Sequence, residues 1–438
     1  MAQAAATLPS QRLLLGTAFL QSSCFGVISQ ALPAALMMQS GAASNIAAAT
    51  TLGKLTSAAS AAELCLSGTF GQLSDAFGRK PLMLFAPMVC ALARCMVVAY
   101  PVVPILIAVR FVTNLMVPIF WLSYNAAIAD SLANDTTQLA IVSSRVQAAM
   151  GLGYSLSTLL GGWLTAIDVR LAYAASSCLG LLVASCVAFG LTETLALERR
   201  KPLILKRVNP FVFLGLFQRG ALGRRFSIIF VLQSAVNGMG DLWQVLAREL
   251  RGWGAAQCGT FGSFAGLATM LGTLITGPGM RRLGPRGFTV ASSTASAAAS
   301  ITLGTTTSTS AAFASIAPMA FGAGKIQPTN ARLANLAELQ GVPQGQLAAE
   351  RSTLTAVVRV LSPSLYAALF AFGATHGCVA LPFYLSASFL LLSAVVSLTV
   401  PKSDWGQPRK VESGAEGGSP LDKAVERRVV DPPEVKTK

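Results

Sequence analysis

Charge is scarce in this chain. Only 12% of its 438 residues are charged, against about a quarter in soluble domains, which excludes an ordinary soluble enzyme. Histidine occurs once, as His376, in an expected outer loop with no partners for a catalytic triad. Eight cysteines are scattered, mostly inside apolar runs, with no Cys-x-x-Cys pair. They read as small core residues rather than a disulfide framework or metal site. No Gly-x-x-x-x-Gly-Lys-Ser/Thr loop is present, so ATP drive within the chain is not expected, and no cofactor is implied. The alternating pattern of an outer-membrane barrel is also missing.

What the chain has in abundance is long apolar runs; hydrophobic residues make up 53%. Twelve runs near membrane-spanning length fall at 12–36, 47–70, 81–99, 102–129, 142–166, 170–191, 225–247, 257–277, 286–306, 310–333, 350–372 and 377–400. Each is long enough to cross roughly 30 Å of hydrocarbon. Without water to satisfy the backbone there, each must be helical. The expectation is an all-α integral membrane protein. Its first run reads as a retained helix, not a removed signal peptide.

The net charge of +15 suggests nucleic acid until its distribution is followed. Arg79 and Lys80 follow the second run; Arg199, Arg200, Lys201, Lys206, Arg207, Arg219, Arg224 and Arg225 separate the sixth from the seventh; Arg281, Arg282 and Arg286 follow the eighth. The opposite loops hold chiefly Arg170, Arg248 and Arg251. Positive charge gathers on the cytosolic side of membrane proteins, so both termini and the central loop are expected in the cytosol, touching lipid and no nucleic acid. Residues 192–224 read as a cytosolic linker, in which Asn209 and Pro210 would start a short amphipathic surface helix. Residues 401–438 are polar and read as a disordered tail.

One loop is the most informative stretch. Gly71-Gln-Leu-Ser-Asp75-Ala-Phe-Gly78-Arg79-Lys80 lies between the second and third runs. Its glycines permit close helix approach and a tight turn. Asp75 would complement a positive helix start, and the two cations would stay in water. A degraded copy, Gly277-x-x-x-Arg281-x-x-Gly284, follows the eighth run. Two six-helix halves, 1–191 and 225–400, each with the same motif after its second helix, are the expected organisation.

The spacing of this loop resembles the signature of the major facilitator superfamily. Over roughly residues 12–400 the chain is most similar to drug:proton antiporters of the tetracycline-efflux type and their eukaryotic relatives. Gln21 through Pro33 resembles the first helix of that branch; Ala126 to Asp130 resembles the end of the fourth, where Asp130 would pair with Arg79 or Lys80. Three departures stand out. Gln21, which cannot titrate, occupies the family's first-helix carboxylate position. The fifth-helix signature reads Gly153-x-x-x-Ser157-Thr158-x-x-Gly161-Gly162, without its central Gly-Pro. The fourth-helix signature keeps Arg110 but lacks the glycines after it. The resemblance implies a secondary transporter of a small solute, working as a monomer by alternating access. It supports the fold better than drug efflux or proton antiport.

The resemblance also implies that the first, fourth, seventh and tenth helices line a central cavity. Charge at bilayer depth is costly and hence a functional candidate. The candidates are Gln21 on the first helix; Arg110, Asn114, Trp121 and Asn125 on the fourth; Gln233, Asn237, Asp241 and Gln244 on the seventh; and Lys325 on the tenth. The seventh-helix four recur at an α-helical period that puts them on one face. Bland readings stand beside these: Arg110 snorkelling to the interface, Asp241 and Lys325 as a fixed pair, Arg94 snorkelling outward, Glu63 in a structural pair, and Arg359 as gate or helix contact. The candidates tilt positive, so the expected substrate is an organic anion, with Arg110 as fork and Lys325 as point charge. Two alternatives stay open: proton-coupled drug efflux through Asp241, and a transporter-derived receptor that binds without moving anything.

Overall fold

Twelve helical spans follow one another in the computed structural model, which describes residues 11–38, 42–132, 136–195, 197–200 and 211–406. The first comprises Gln11–Ile28 and Ala31–Met38; then come Ala42–Phe77, Arg79–Ala99, Val103–Ser131, Thr136–Ile167 and Val169–Ser185, the sixth closing in a π turn at Cys186–Gly190. The seventh runs through Gly220–Ala235, Val236–Leu242 and Trp243–Arg251. The eighth and ninth lie within Ala255–Thr305 and are parted by extended backbone at Gly284. The tenth is built of Thr309–Ala314, Ile316–Phe321, Gly322–Gly324 and Gln327–Leu339; Gln344–Thr375 and Leu381–Thr399 complete the bundle. No strand occurs among the described residues. Every apolar run read from the sequence is a helical span. Seven stretches are individually long and apolar enough to cross a membrane; the second, fifth, seventh and tenth spans carry breaks or more polar side chains.

Small residues let the spans approach closely. A Cβ on Gly153 would lie 2.3 Å from the Phe19 carbonyl oxygen, and one on Gly161 would lie 2.1 Å from that of Val27. The fifth span therefore presses its backbone against the first, the packing expected where no hydrophobic effect drives helices together. The departure at Ser157 is absorbed in this contact, because Ser157 faces Gly26 on the first span.

Three spans are broken near mid-depth. The first turns at Ser29 and Gln30; the seventh tightens to a 3₁₀ helix over Val236–Leu242; the tenth does so over Gly322–Gly324. A stretch of 3₁₀ inside a longer helix marks strain or function. Gly238 lets the seventh span meet Ser362 of the eleventh.

The linker and tail differ from expectation in part. Asn209 and Pro210 lie outside the described residues, as do residues 201–208. The helix Leu214–Gln218 is short, and it does not lie only on a surface: Leu216 is fully buried in a cluster with Phe226, Leu333 and Trp405. Arg219 and Glu350 form a buried ion pair behind it. The polar tail does not begin at Pro401, because Lys402–Trp405 forms a turn and Trp405 is buried edge-on against Phe226. Residues 407–438 lie outside the described residues.

Candidate functional site

The helix breaks converge on one place. A cavity of about 590 Å³ is lined by Ser29 and Gln30 at the first-span break and by Gly240 and Asp241 at the seventh-span break. Arg110 and Trp121 of the fourth span and Tyr154 of the fifth complete its wall. An adjoining lobe of about 470 Å³ shares Gln30, Tyr154, Gly240 and Trp243 and reaches Asn237 and Lys325. Both volumes fall in the range of small-molecule sites, about 300–1,000 Å³.

Arg110 is the centre of the charged wall. Its Nη2 donates to Asp241 Oδ1 at 2.8 Å, while Thr56 Oγ1 of the second span donates to Asp241 Oδ2 at 2.5 Å. Asp241 therefore ties the seventh span to the second and fourth. Arg110 does not simply snorkel, and the expected Asp241–Lys325 pair is absent, because Asp241 spends both oxygens on Arg110 and Thr56. Lys325 has no carboxylate within ion-pair distance among the described residues; its Nζ reaches the Gly322 carbonyl at 3.4 Å.

Four candidates leave the cavity wall: Gln233, Gln21, Asn114 and Asn125. Gln233 is buried and donates to Ser293 Oγ of the ninth span at 3.3 Å. The α-helical period that aligned it with Asp241 fails because the 3₁₀ stretch between them has 3.0 residues per turn instead of 3.6. Gln21 is likewise buried and off the wall, which its neighbours Ser22 and Phe25 supply instead. Asn237 and Gln244 do line cavities. Trp121 lines the larger one, held edge-on by Phe120 at 5.2 Å and Tyr124 at 5.6 Å. Asn114 lies between Arg110 and Val117 on the same stripe of the fourth span, half-buried; Asn125 is exposed.

The sequence reading missed Gln30, Tyr154 and Trp243. Gln30 and Trp243 flank helix breaks that periodicity cannot reveal, and Tyr154 lies one residue beyond Gly153, the first glycine of the fifth-span signature. Arg94 also differs from expectation: it does not snorkel outward but is 1% exposed, with its guanidinium over the Phe25 ring at 5.8 Å. Glu63 pairs with Arg359 at 3.4 Å across the second and eleventh spans, so Arg359 makes a helix contact.

The loop motif forms a compact charge network. Arg79 bridges Asp75 at 2.7 Å and Asp130 at 3.1 Å. Glu193, after the sixth span, accepts from the backbone amides of Arg79 at 3.0 Å and Lys80 at 3.2 Å. These are free donors of the third span's first turn, where a carboxylate is favoured. Glu193, not Asp75, therefore complements that helix start. Gly78 takes φ 103° and ψ 166°; Gly284 in the second loop takes φ 70° and ψ 163°. Lys80 Nζ donates to the Ala188 carbonyl near the end of the sixth span, as Arg286 donates to the Leu398 carbonyl near the end of the twelfth. The two loops thus share one backbone turn.

The sequence pattern of the Major Facilitator Superfamily matches residues 14–346. The chain belongs to that superfamily. It is a multi-pass membrane transporter with the major facilitator fold rather than an enzyme. It is 24% identical over 369 residues to the class C tetracycline resistance protein of Escherichia coli, covering 83% of this chain and 90% of that one. Among solved structures, the nucleoside transporter NupG superposes with TM-score 0.69 at 10% identity, covering 89% of this chain and 98% of that one. The human organic anion transporter MFSD10 (TETRAN) superposes with TM-score 0.62 at 18% identity, covering 89% and 100%.

Two cavities meet at a thin wall. Gln244 lines both the central cavity and a further one of about 530 Å³ bounded by Met37, Arg248 and Trp253. At that end the spans are joined: Asn45 donates to Glu249. A Cβ on Gly162 of the fifth span would lie 2.9 Å from Gly259 Cα of the eighth. At the motif end, Asn125, Arg145 and Gln147 are exposed.

Proposed function

We propose that this transporter carries a small organic anion through the cavity by alternating access. The observation that carries the reading is the charge of the cavity wall. Arg110 and Lys325 against Asp241 leave one formal positive charge, two minus one, and that charge resides on Lys325. Cationic groups at low dielectric attract anions and repel cations. The organic anion transporter among the structural neighbours has the same fold, which is compatible with this substrate class.

The cycle follows from the arrangement. The spans before residue 200 and those after residue 211 would rock about the cavity. The observed state has contacts at the Gln244 end and exposure at the motif end, and we take the motif end, with both termini, to face the cytosol. The Thr56–Asp241–Arg110 cluster would then help hold the far side shut, and an anion arriving at Arg110 would compete with Asp241.

A second reading is favoured by Asp241 itself. It is a carboxylate on the cavity wall, and two relatives of the chain are tetracycline resistance proteins. In that reading Asp241 carries a coupling proton and the cargo is a drug leaving the cell. Uptake by proteoliposomes of organic anions, neutral solutes and cationic drugs, with and without a pH gradient, separates the two. Saturable anion uptake abolished by Lys325→Met supports the first; gradient-driven drug movement lost in Asp241→Asn supports the second.

A further inference from the structure

We infer that the preferred substrate is a flat aromatic monoanion, with its anionic group on Lys325 and its ring against the Trp243–Phe261 wall of the smaller lobe. This rests on the organic-anion reading above and narrows it.

The lobe carries a single charged side chain, Lys325. Among the described residues no carboxylate lies within ion-pair distance of it, and its weak contact to the Gly322 carbonyl leaves ammonium donors for a ligand. The Ser296 hydroxyl and the Asn237 amide flank the same lobe, while Thr269 and Ser300 spend their protons on the Gly266 and Ser296 carbonyls. One anionic group is therefore served by a point charge plus neutral donors. A second anionic group has no comparable partner, because the other cation, Arg110, is engaged by Asp241, which Thr56 also holds. Desolvating a second unpaired charge is costly, so dianions are disfavoured. Neutral molecules leave Lys325 uncompensated, and cations are repelled.

The remainder of the lobe fits a flat ring. Trp243 and Phe261 stack at 4.7 Å with their planes 25° apart, and both line the lobe. They are held from behind by Trp253, Phe313 and Phe383, so the aromatic wall is rigid before a ligand arrives. Met239 and Met319 face the same space, and thioethers make favourable contacts with rings. Aromatic pairs gain beyond the area they bury, so a ring outcompetes a saturated body of similar size here.

Four compounds on one skeleton test this in proteoliposomes holding the full chain: 2-naphthoate, its saturated decahydro counterpart, 2,6-naphthalenedicarboxylate and neutral 2-naphthamide. The expected result is saturable uptake of 2-naphthoate, with the saturated acid weaker by about threefold to tenfold and the dicarboxylate and amide weaker still. Calorimetric titration of the detergent-purified protein with 2-naphthoate reads binding apart from transport. Lys325→Met is expected to abolish binding, Lys325→Arg to retain it, and Phe261→Leu to lower affinity for 2-naphthoate while sparing the saturated acid. Equal uptake of the naphthoate and its saturated counterpart, unaffected by Phe261→Leu, would overturn the aromatic inference and leave the anion reading standing. Dicarboxylate transport as good as monoanion transport would overturn the single-charge assignment. Transport of 2-naphthamide or of cationic drugs with no anion moving would overturn both this inference and the organic-anion reading beneath it.

Discussion

The Gly71–Lys80 loop and the Gly277–Arg286 loop make the same turn with different chemistry. Gly78 and Gly284 share extended backbone of positive φ, and Lys80 and Arg286 each cap a carbonyl near the end of a later span. Around that turn the first loop assembles Asp75, Asp130 and Glu193 on Arg79 and on the third span's first amides. The second places Arg281 in solvent, with no carboxylate within ion-pair distance among the described residues. The backbone shape of the motif is thus separable from its charge. Glycine holds the turn, while carboxylates fasten the first loop to the ends of the fourth and sixth spans; the second loop keeps the Arg286 tie to the twelfth span without that charge network.

The sharpest way to break this contrast is to give both glycines a side chain. Gly78→Ala adds a Cβ only 2.4 Å from Glu193 Oε2 at φ 103°, whereas a Cβ at Gly284 meets nothing within 4 Å. Backbone strain of about 1–3 kcal/mol applies to both, but only the first also displaces the capping carboxylate. Thermal unfolding in detergent is expected to fall most for Gly78→Ala and clearly less for Gly284→Ala. Equal losses would mean that strain alone matters.

Removing the cap without strain comes next. Glu193→Ala frees the amides of Arg79 and Lys80, a loss on the scale of an N-cap, about 1 kcal/mol. Hydrogen exchange at those two amides is expected to quicken, while the ninth span beyond Gly284 keeps its protection. The smallest effect belongs to Arg281→Asp. Asp75 gains its partner from Arg79 four residues on, but the residue four beyond position 281 is Pro285. Restoring the acid alone is expected to change stability by no more than about 0.5 kcal/mol. A larger gain would show that the second loop has a cation waiting for it.

Much of the fold was legible because the membrane leaves few options: every apolar run of sufficient length became a helix. The motif was legible for a similar reason, since glycine at a positive-φ turn and charge at a membrane boundary are local requirements. The cavity was legible only in part. Arg110, Asp241 and Lys325 stood out because charge is rare at that depth. Thr56 did not, because it reaches Asp241 from the second span, distant in sequence. Gln233 fell from the wall because a 3₁₀ stretch around Gly238 and Gly240 shifts the seventh span's phase, and a periodic reading assumes unbroken helix. Gln30 and Trp243 were hidden by the same kind of break. Trp405 was hidden by a polar tail in which one aromatic found a packed partner.

The proposed cationic site takes its uncompensated charge from Lys325. Uptake of radiolabelled organic anion into proteoliposomes by the wild-type, Lys325→Arg and Lys325→Met proteins tests it most directly. Saturable uptake is expected of the first two and none of the third, with all three unfolding at similar temperatures. Undiminished anion uptake by Lys325→Met would contradict that assignment.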